Sequence, residues 1–434
     1  MIARVLSFFL KNKSHLAFLA CLSSVLLLVL IIQKNSANKV ECQKIGAVCV
    51  ENFYLKIHSK VQGRFSDYLN EIRKYERLHN YNKKWFPGTF IHDGQEQEAK
   101  FRVRGDLHTH YRGNQVSLRV KVKENKLKPA RQLNFIVPWD KDYAIEPLSQ
   151  IIAGELGIFS NVGHFGKLSF IAQKSESDPY YYIDEHLSKE LLESKGYYSA
   201  PVFTFGTLWT ELSDSSQHYF LGSSEMRDVQ KIRNNIFQID VRKTYNSSSK
   251  KAVLMQTAII KRLWEASYDK KITDDNKELI KQYLDVSNFE KFIAVQCFFG
   301  SDHALNFNDN TRLYYNPKST KFELFMWDVS LMDLENNKIC MNILKSQDSP
   351  YYDIRNNPFS NLVSNGILSR QNIRGHLAFL LERQIHYKSY LENTHNNMKR
   401  LSQSKSFHSL PRKSRQISKG FDRNIKFLSY LLEN

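Results

Sequence analysis

The sequence predicts an α+β protein, β-rich in its first half and helical in its second, behind one N-terminal apolar segment. Three observations predict this. Apolar and basic residues alternate with period two in Ala99–Gly105 and Val116–Lys123. Longer helix-compatible runs begin near residue 250, and an apolar run spans Leu16–Ile32.

The apolar run (LAFLACLSSVLLLVLII) follows Arg4, Lys11 and Lys13, and no clean small-x-small cleavage site follows it. It reads as an uncleaved signal anchor over 16–32, behind a short tail over 1–15 and ahead of a polar linker over 33–50. The expected product is a single-pass protein of the inner or plasma membrane. Long domains translocate regardless of flanking charge, so the bulk of the chain is expected outside the cytoplasm. Five cysteines are too few for a disulfide framework. Cys42 and Cys49 are close enough to pair in an oxidising compartment, Cys340 is isolated, and Cys297 falls in an apolar helix as a core residue.

The 434 residues are 42% hydrophobic and 13% aromatic, enough for a sizeable core, which excludes a wholly disordered chain. The net charge is +18, and between Lys399 and Lys426 nine basic residues stand against one acid, Asp422. Such a run suits membrane phosphate, nucleic acid or a solvated helix face. No zinc-finger spacing or RNP motif accompanies it, so nucleic acid is a minor reading.

A helix is expected over Phe65–Tyr81. In Ala99–Gly105 Phe101 and Val103 share one face, with Arg102 and Arg104 on the other. In Val116–Lys123 Leu118, Val120 and Val122 oppose Arg119, Lys121 and Lys123. Arg131–Val137 is a third strand. A helix follows over about Asp142–Leu156, ended by Gly157, then strands at Lys167–Ala172 and Tyr180–Ile183. Helices are predicted over Lys250–Ser267, Asp275–Leu284 and Phe289–Phe299, and the last hundred residues read as helical and polar.

The densest polar cluster lies between Gly300 and Ser330. Asp302, His303, Asn306, Asn308, Asp309 and Asn310 crowd together after an apolar helix. TRLYYN (311–316), the turn PKST and KFELFMW (321–327) then form a hairpin with equal arms. Equal arms return the chain, so Asp328 is expected beside the 302–310 loop. Asn and Asp are also ordinary turn residues, but a carboxylate closing an apolar strand sits at a core boundary, where an unpaired charge is costly. Phosphoryl transfer needs a carboxylate at the acceptor hydroxyl and further oxygen ligands for the metal that bridges the phosphates. An Asp, an Asn, a hairpin and a second Asp is the order found in protein kinases, although literal HRD and DFG signatures are absent. In this reading Asp302 is the base, Asn306 or Asn308 a metal ligand, and Asp328 the main metal carboxylate. Cations for the phosphates are sought among Arg102, Arg104, Arg119, Lys121 and Lys123, a set that a solvated sheet face explains equally well. Glu185 is a carboxylate able to orient such a cation. His108 and His110 form a weak metal pair.

On these residues the chain resembles the spore coat protein H (CotH) kinase family of atypical kinases. FRVRGD (101–106) resembles its early strand, and VSLRVKVK (116–123) its basic strand. RQLNFIVPWDKDYAIEPLSQIIAGELGI resembles its strand-to-helix step, and YYYIDEHLSKELLESKG its strand–Glu–helix step. SDHALNFNDNTRLYY with FELFMWD matches best. The resemblance covers roughly Asn52–Asp333. It implies a kinase-like fold with a β-rich N-lobe and helical C-lobe over 51–335, followed by a helical extension with a basic tail over 336–434. It also implies ATP, Mg2+ or Mn2+, and transfer to a protein or cell-surface acceptor hydroxyl. Two departures stand out. RGDLHTHYRGNQVS is longer than the family's stretch after its first glycine, and Ser330 occupies the second Asp of the family's WDxD pattern. Three functional readings follow: a kinase, an inactive relative that binds or assembles a cell-surface layer or polysaccharide, and a glycan hydrolase with paired carboxylates.

Overall fold

In the computed structural model of the protein, the alternating segments become strands of a closed sheet. Described are residues 43–45, 48–75, 78, 82–105, 108–111, 115–123, 131–170, 179–205, 239–242, 244–245, 250–306, 311–345, 357–400 and 410–433. The apolar segment 16–32 and Cys42 lie outside them. Among the described residues no helix is long and apolar enough to cross a membrane.

The first half runs β1 (Gln43–Ile45), β2 (Val48–Ile57), α1 (Ser59–Ile72), β3 (Phe86–His92), β4 (Gln95–Val103), β5 (Leu118–Val122) and β6 (Gln132–Ile136). It continues with α2 (Ile145–Glu155), β7 (His164–Phe170), β8 (Tyr180–Glu185), α3 (Lys189–Ser194), β9 (Val202–Phe205) and β10 (Ile239–Arg242). Strand order β1-β2-β3-β4-β5-β6-β8-β7, with β7 pairing back onto β2 in parallel, closes strands β2 to β8 into a barrel. Period two decides what fills it. Phe101 and Val103 of β4, and Leu118, Val120 and Val122 of β5, point inward with Phe53, Phe90 and Phe135. Arg102 and Arg119, registered opposite each other, stand outside. α1 closes one side through Val61, Phe65, Tyr68 and Ile72, with Phe65 edge-on to Phe86 and Phe101.

Some boundaries differ from expectation for definite reasons. The helix expected over 65–81 is α1 over 59–72, because its apolar stripe begins at Val61 and ends at Ile72. Residues 43–45 and 48–50 of the predicted linker are in strands. β3 carries Pro87 and Gly88, which read as strand breakers. Yet a Cβ on Gly88 would stand 3.0 Å from Lys56 O and 3.3 Å from the Phe101 ring, so glycine lets the strand lie flat there.

The second half runs α4 (Lys250–Ser267), α5 (Asp274–Tyr283), α6 (Val286–Phe298), α7 (His303–Asn306), β11 (Leu313–Asn316), β12 (Lys321–Leu324), α8 (Lys338–Leu344), α9 (Pro358–Ser364), α10 (Arg370–Glu382), α11 (Gln384–Arg400) and α12 (Leu410–Glu433). β10-β9-β11-β12 form a second, smaller sheet. One apolar core joins the barrel's outer residues Ile136 and Tyr182 to α2 and to Trp264, Phe292, Phe359 and Phe421 of the helices. The basic run is therefore no loose tail. α12 buries Ile417, Phe421, Ile425, Leu428 and Leu431 in that core.

Cys297 and Cys340, read as a core residue and an isolated thiol, are joined in a disulfide that ties α6 to α8 across 43 residues of sequence. The two are far apart along the chain, so only tertiary packing brings them together. Chain-entropy arguments for a loop of this length give about 4 kcal/mol of stabilisation. Cys297→Ser or Cys340→Ser is expected to lower the unfolding free energy by about that much in denaturant titrations. Equal stability of wild type with and without dithiothreitol would refute a structural role for the bridge.

Candidate functional site

Three local features build the site at the seam between barrel and helices. The first is a glycine. Gly300 ends α6 at φ +64°, and a Cβ there would lie 2.5 Å from Met332 O and 2.9 Å from Leu334 N. Only glycine allows the chain leaving α6 to run so close against the 332–334 backbone. The seam is stitched by Met332 N–H donating to Phe299 O at 3.0 Å and by Asn337 Nδ2 donating to Gly300 O at 2.8 Å. The second feature is the hairpin β11–β12, registered Leu313↔Leu324 to Asn316↔Lys321. Its equal arms return the chain to its starting point, as the spacing requires. The third is α2, whose apolar sequence carries the buried polar residues Glu146, Ser149 and Gln150, with Glu146 and Gln150 one turn apart.

These features fix Asp328. Its backbone sits at φ +57°, a left-handed conformation that costs about 1 kcal/mol or more for a residue with a Cβ, though Asp tolerates it better than most. Glu146 holds it there, accepting from Asp328 N–H at 3.3 Å and Val329 N–H at 2.8 Å. Gln150 Nε2 donates to Glu146 Oε1 at 3.0 Å and to Met326 O at 3.2 Å. The Asp328 carboxylate is bracketed by two cations. Lys141 Nζ lies 2.7 Å from Oδ1 and His303 Nδ1 lies 3.1 Å from Oδ2. Lys141 is 5% exposed, in the single turn Pro138–Lys141 between β6 and α2. Trp327 packs between cations, with Lys141 Nζ 5.8 Å and the Arg312 guanidinium 5.4 Å from its ring centre.

The electrostatics follow from this enclosure. Burial alone would push the Asp328 carboxyl up, but Lys141 and His303 overcome it and hold the group well below the usual carboxylate range. Burial would push Lys141 down, but Asp328 and then Glu146 hold it above its ordinary range. Glu146 itself is raised by burial, against the pull of Lys141. For His303 burial acts downward, and the Asp328 bond outweighs it to give about 9. A raised histidine contributes stability that is complete below its unfolded value of about 6.5 and is lost as pH rises through its folded value. Asp328 contributes in the opposite sense, its share lost only in acid. Unfolding free energy is therefore expected to fall between pH 6.5 and pH 9. His303 is 39% exposed, so screening limits the loss to about 1 kcal/mol. His303→Gln should flatten the profile; an unchanged slope would remove His303 as its cause.

Asp302 adjoins this network directly before α7, half-buried, and its charge contributes to the raised His303. Asn306 is the last residue of α7, and Asn308 lies outside the described residues. Among the described residues no group of three or more His, Cys, Asp or Glu is arranged to hold a metal.

Arg104 follows β4 and has Nε buried without a hydrogen-bond partner. Its charge acts on Asp184, Lys141 and His110, so it faces the same seam. Arg119 Nε donates to Asn134 Oδ1 at 2.7 Å, and Asn134 in turn donates to Asp184. Asp184 is buried, and burial raises its carboxyl. Lys121 lies on the same barrel face as Arg119 but is exposed, in register with Lys100 and Gln132. Glu185 is raised first by burial, and its charged neighbours are Lys195, Asp184 and His164. His110 donates or accepts at both ring nitrogens locally, 3.4 Å from Asp140 Oδ1 and 3.3 Å from Ser117 Oγ. His108 packs on Tyr111 at 5.5 Å.

The site thus gathers Asp302, Asp328 and Arg104 with three residues given no role by sequence reasoning, Lys141, Glu146 and His303. A signal existed for two of them: His303 stands in the dense polar cluster after Gly300, and Glu146 falls in an apolar helix. Glu146 and Gln150 interrupt a mainly apolar helix, and charged residues are seldom fully buried unless paired. Lys141 left no comparable trace, because PWDKD reads as a polar turn.

No curated protein sequence matches the chain. A family model described as CotH kinase protein matches residues 101–404, more than half of it. That span runs from β4 to the end of α11, takes in Arg104, Lys141, Glu146, Asp302, His303 and Asp328, and places the chain in the CotH kinase protein family.

Proposed function

We propose that the protein is a metal-dependent phosphotransferase that moves the γ-phosphoryl group of ATP to a hydroxyl of a protein or cell-surface acceptor. The observation that carries this reading is Asp328, returned by the hairpin beside Asp302 and His303 and held by the buried Lys141. A carboxylate at a seam, paired with an enclosed lysine and an arginine whose Nε is unsatisfied, suits a polyphosphate that carries its own divalent cation. Lys141 and Arg104 take the phosphate contacts, the role sought at Arg119 and Lys121. Arg119 supports them indirectly through Asn134 and Asp184. Asp328, with Asn306 or Asn308, would hold Mg2+ or Mn2+, which would supply positive charge to offset the negative charge of the phosphate oxygens. The acceptor hydroxyl is oriented by Asp302, which takes its proton as the oxygen attacks phosphorus.

The segment 16–32 anchors this domain in the membrane, and the Cys297–Cys340 bridge favours an oxidising compartment on the outer side. ATP would then have to be supplied there. Protease protection of intact cells tests the side.

Label transfer from γ-phosphate-labelled ATP tests the chemistry. Wild type is expected to label an acceptor and Asp302→Ala to lose at least about a hundredfold in rate, the lower range for an acid–base residue. Full activity in Asp302→Ala would remove the base from the proposal. Ser330, in place of the second Asp of WDxD, motivates the inactive alternative, for which nucleotide binds and no label moves.

A further inference from the structure

α12 has two faces of different character. Its inner face is sealed in the core, as described. Its outer face exposes Arg412, Lys413, Arg415, Lys419, Arg423 and Lys426, against two acids, Glu433 and the partly exposed Asp422, which pairs with Lys388. Solvated helix faces ordinarily mix signs, with i,i+4 pairs of opposite charge. Here Arg412, Arg415, Lys419, Arg423 and Lys426 recur every three or four residues, which puts them on one stripe, with Lys413 on the flank nearer the core.

The helix that carries the stripe packs along residues 331–334, the chain that leaves Asp328. Lys413 acts on the Asp142 carboxylate, which accepts from Leu331 N–H at 3.4 Å and directly follows Lys141. Gly420 lies against Leu331, where a Cβ would stand 3.2 Å from Leu331 Cδ2. Asn424 receives Leu334 N–H at 3.1 Å and donates to Met332 O at 2.8 Å. The helix therefore runs along the chain that leaves Asp328. Farther out, a shallow groove is lined by Glu335, Lys419, Arg423, Lys426, Phe427 and Tyr430, with Asp422 at its edge. The acids near it are partly engaged: Asp422 pairs with Lys388 at 2.8 Å and Asp333 with Arg423 at 3.2 Å. Lys419 and Lys426 have no ion-pair partner among the described residues, and Tyr430 is 61% exposed.

We infer that this stripe is the docking ridge for the acceptor, and that the acceptor is an acidic polypeptide segment flanking the hydroxyl to be modified. The inference rests on the phosphotransferase reading for the word acceptor, but the binding does not depend on transfer. A ridge of cations on the helix that packs along residues 331–334 attracts an anionic chain to this side of the site, while Phe427 and Tyr430 supply apolar contact at the far end.

The test is fluorescence anisotropy of a labelled peptide of alternating Ser and Glu, titrated with the full detergent-solubilised chain without nucleotide. Wild type is expected to bind, more weakly as salt shortens the screening length from about 30 Å to about 8 Å. A matched Ser-Gly peptide is expected not to bind. Lys419→Glu with Lys426→Glu should weaken binding at least about tenfold, through two lost attractions and two added repulsions. Lys419→Arg with Lys426→Arg should retain it. Equal binding of the two peptides, or charge reversal without effect, overturns the inference. So does binding to phosphatidylserine vesicles or single-stranded DNA with none to the Ser-Glu peptide, which assigns the ridge to another partner. Loss of label transfer with anisotropy intact counts against the kinase chemistry alone. Where transfer is measurable, charge reversal should raise KM for the acidic acceptor and leave kcat in place.

Discussion

Asp328→Ala is expected to reduce phosphoryl transfer by about a thousandfold or more, the scale on which loss of one preorganised electrostatic group at a reacting centre is felt. The reason lies in what surrounds it. Lys141 at 2.7 Å and His303 at 3.1 Å hold this carboxylate ionised, and Glu146 fixes its backbone in a left-handed conformation. Deletion of the carboxylate removes the oxygen ligand proposed for the metal and leaves Lys141 enclosed without its hydrogen-bonded partner. Asp328→Asn separates the two effects. The amide keeps the shape and an oxygen acceptor for Lys141 but not the charge. Rate measurements on Asp328→Asn should show nearly the whole loss, with a smaller fall in unfolding midpoint than Asp328→Ala because the contact to Lys141 is kept. A variant with near-normal rate would show that Asp328 holds no metal.

Lys141→Met carries the largest expected cost in stability. Methionine fills the stem's volume but leaves Glu146 at a buried seam without its cation and Asp328 with His303 alone. Removal of one partner of a buried pair costs about 3–5 kcal/mol, because the remaining charge is uncompensated. Asp328 and Glu146 should both shift upward in the variant, so the loss should be smaller in acid, where they are protonated, than at neutral pH. The double variant Lys141→Met with Asp328→Leu should recover part of it, since both charges of the pair are then absent. Urea unfolding of the two single variants, the double variant and wild type gives the coupling directly. Additive losses would mean that the 2.7 Å contact contributes nothing of its own.

The candidate site was legible through local rules, and what distance in sequence hides was not. The hairpin was legible because its two arms are neighbours and period two is a short-range signal. Its consequence, Asp328 returned beside the Asp302–His303 loop, follows from equal arm lengths alone. The barrel was legible at β4 and β5, where basic residues alternate with apolar ones, and at β6, where an apolar run marks the strand. It was illegible at β3, where Pro87 and Gly88 fit only because of what β2 and β4 place against them. Lys141 is 187 residues from Asp328, and nothing near PWDKD announces that pairing. The same holds for Cys297 and Cys340, which meet only when α8 docks on α6. Arg119 and Lys121 share a strand face and a charge, and the fold treats them differently. One is drawn into a hydrogen-bonded chain to Asp184, and the other is left in solvent.

The account stands most directly on metal-dependent nucleotide binding through Asp328. Calorimetric titration of ATP into the full chain, with and without Mg2+ or Mn2+, measures it. Saturable heat that needs the cation in wild type, and that vanishes in Asp328→Asn, is the expected result. No heat from wild type, or the same heat from the variant, would contradict the account.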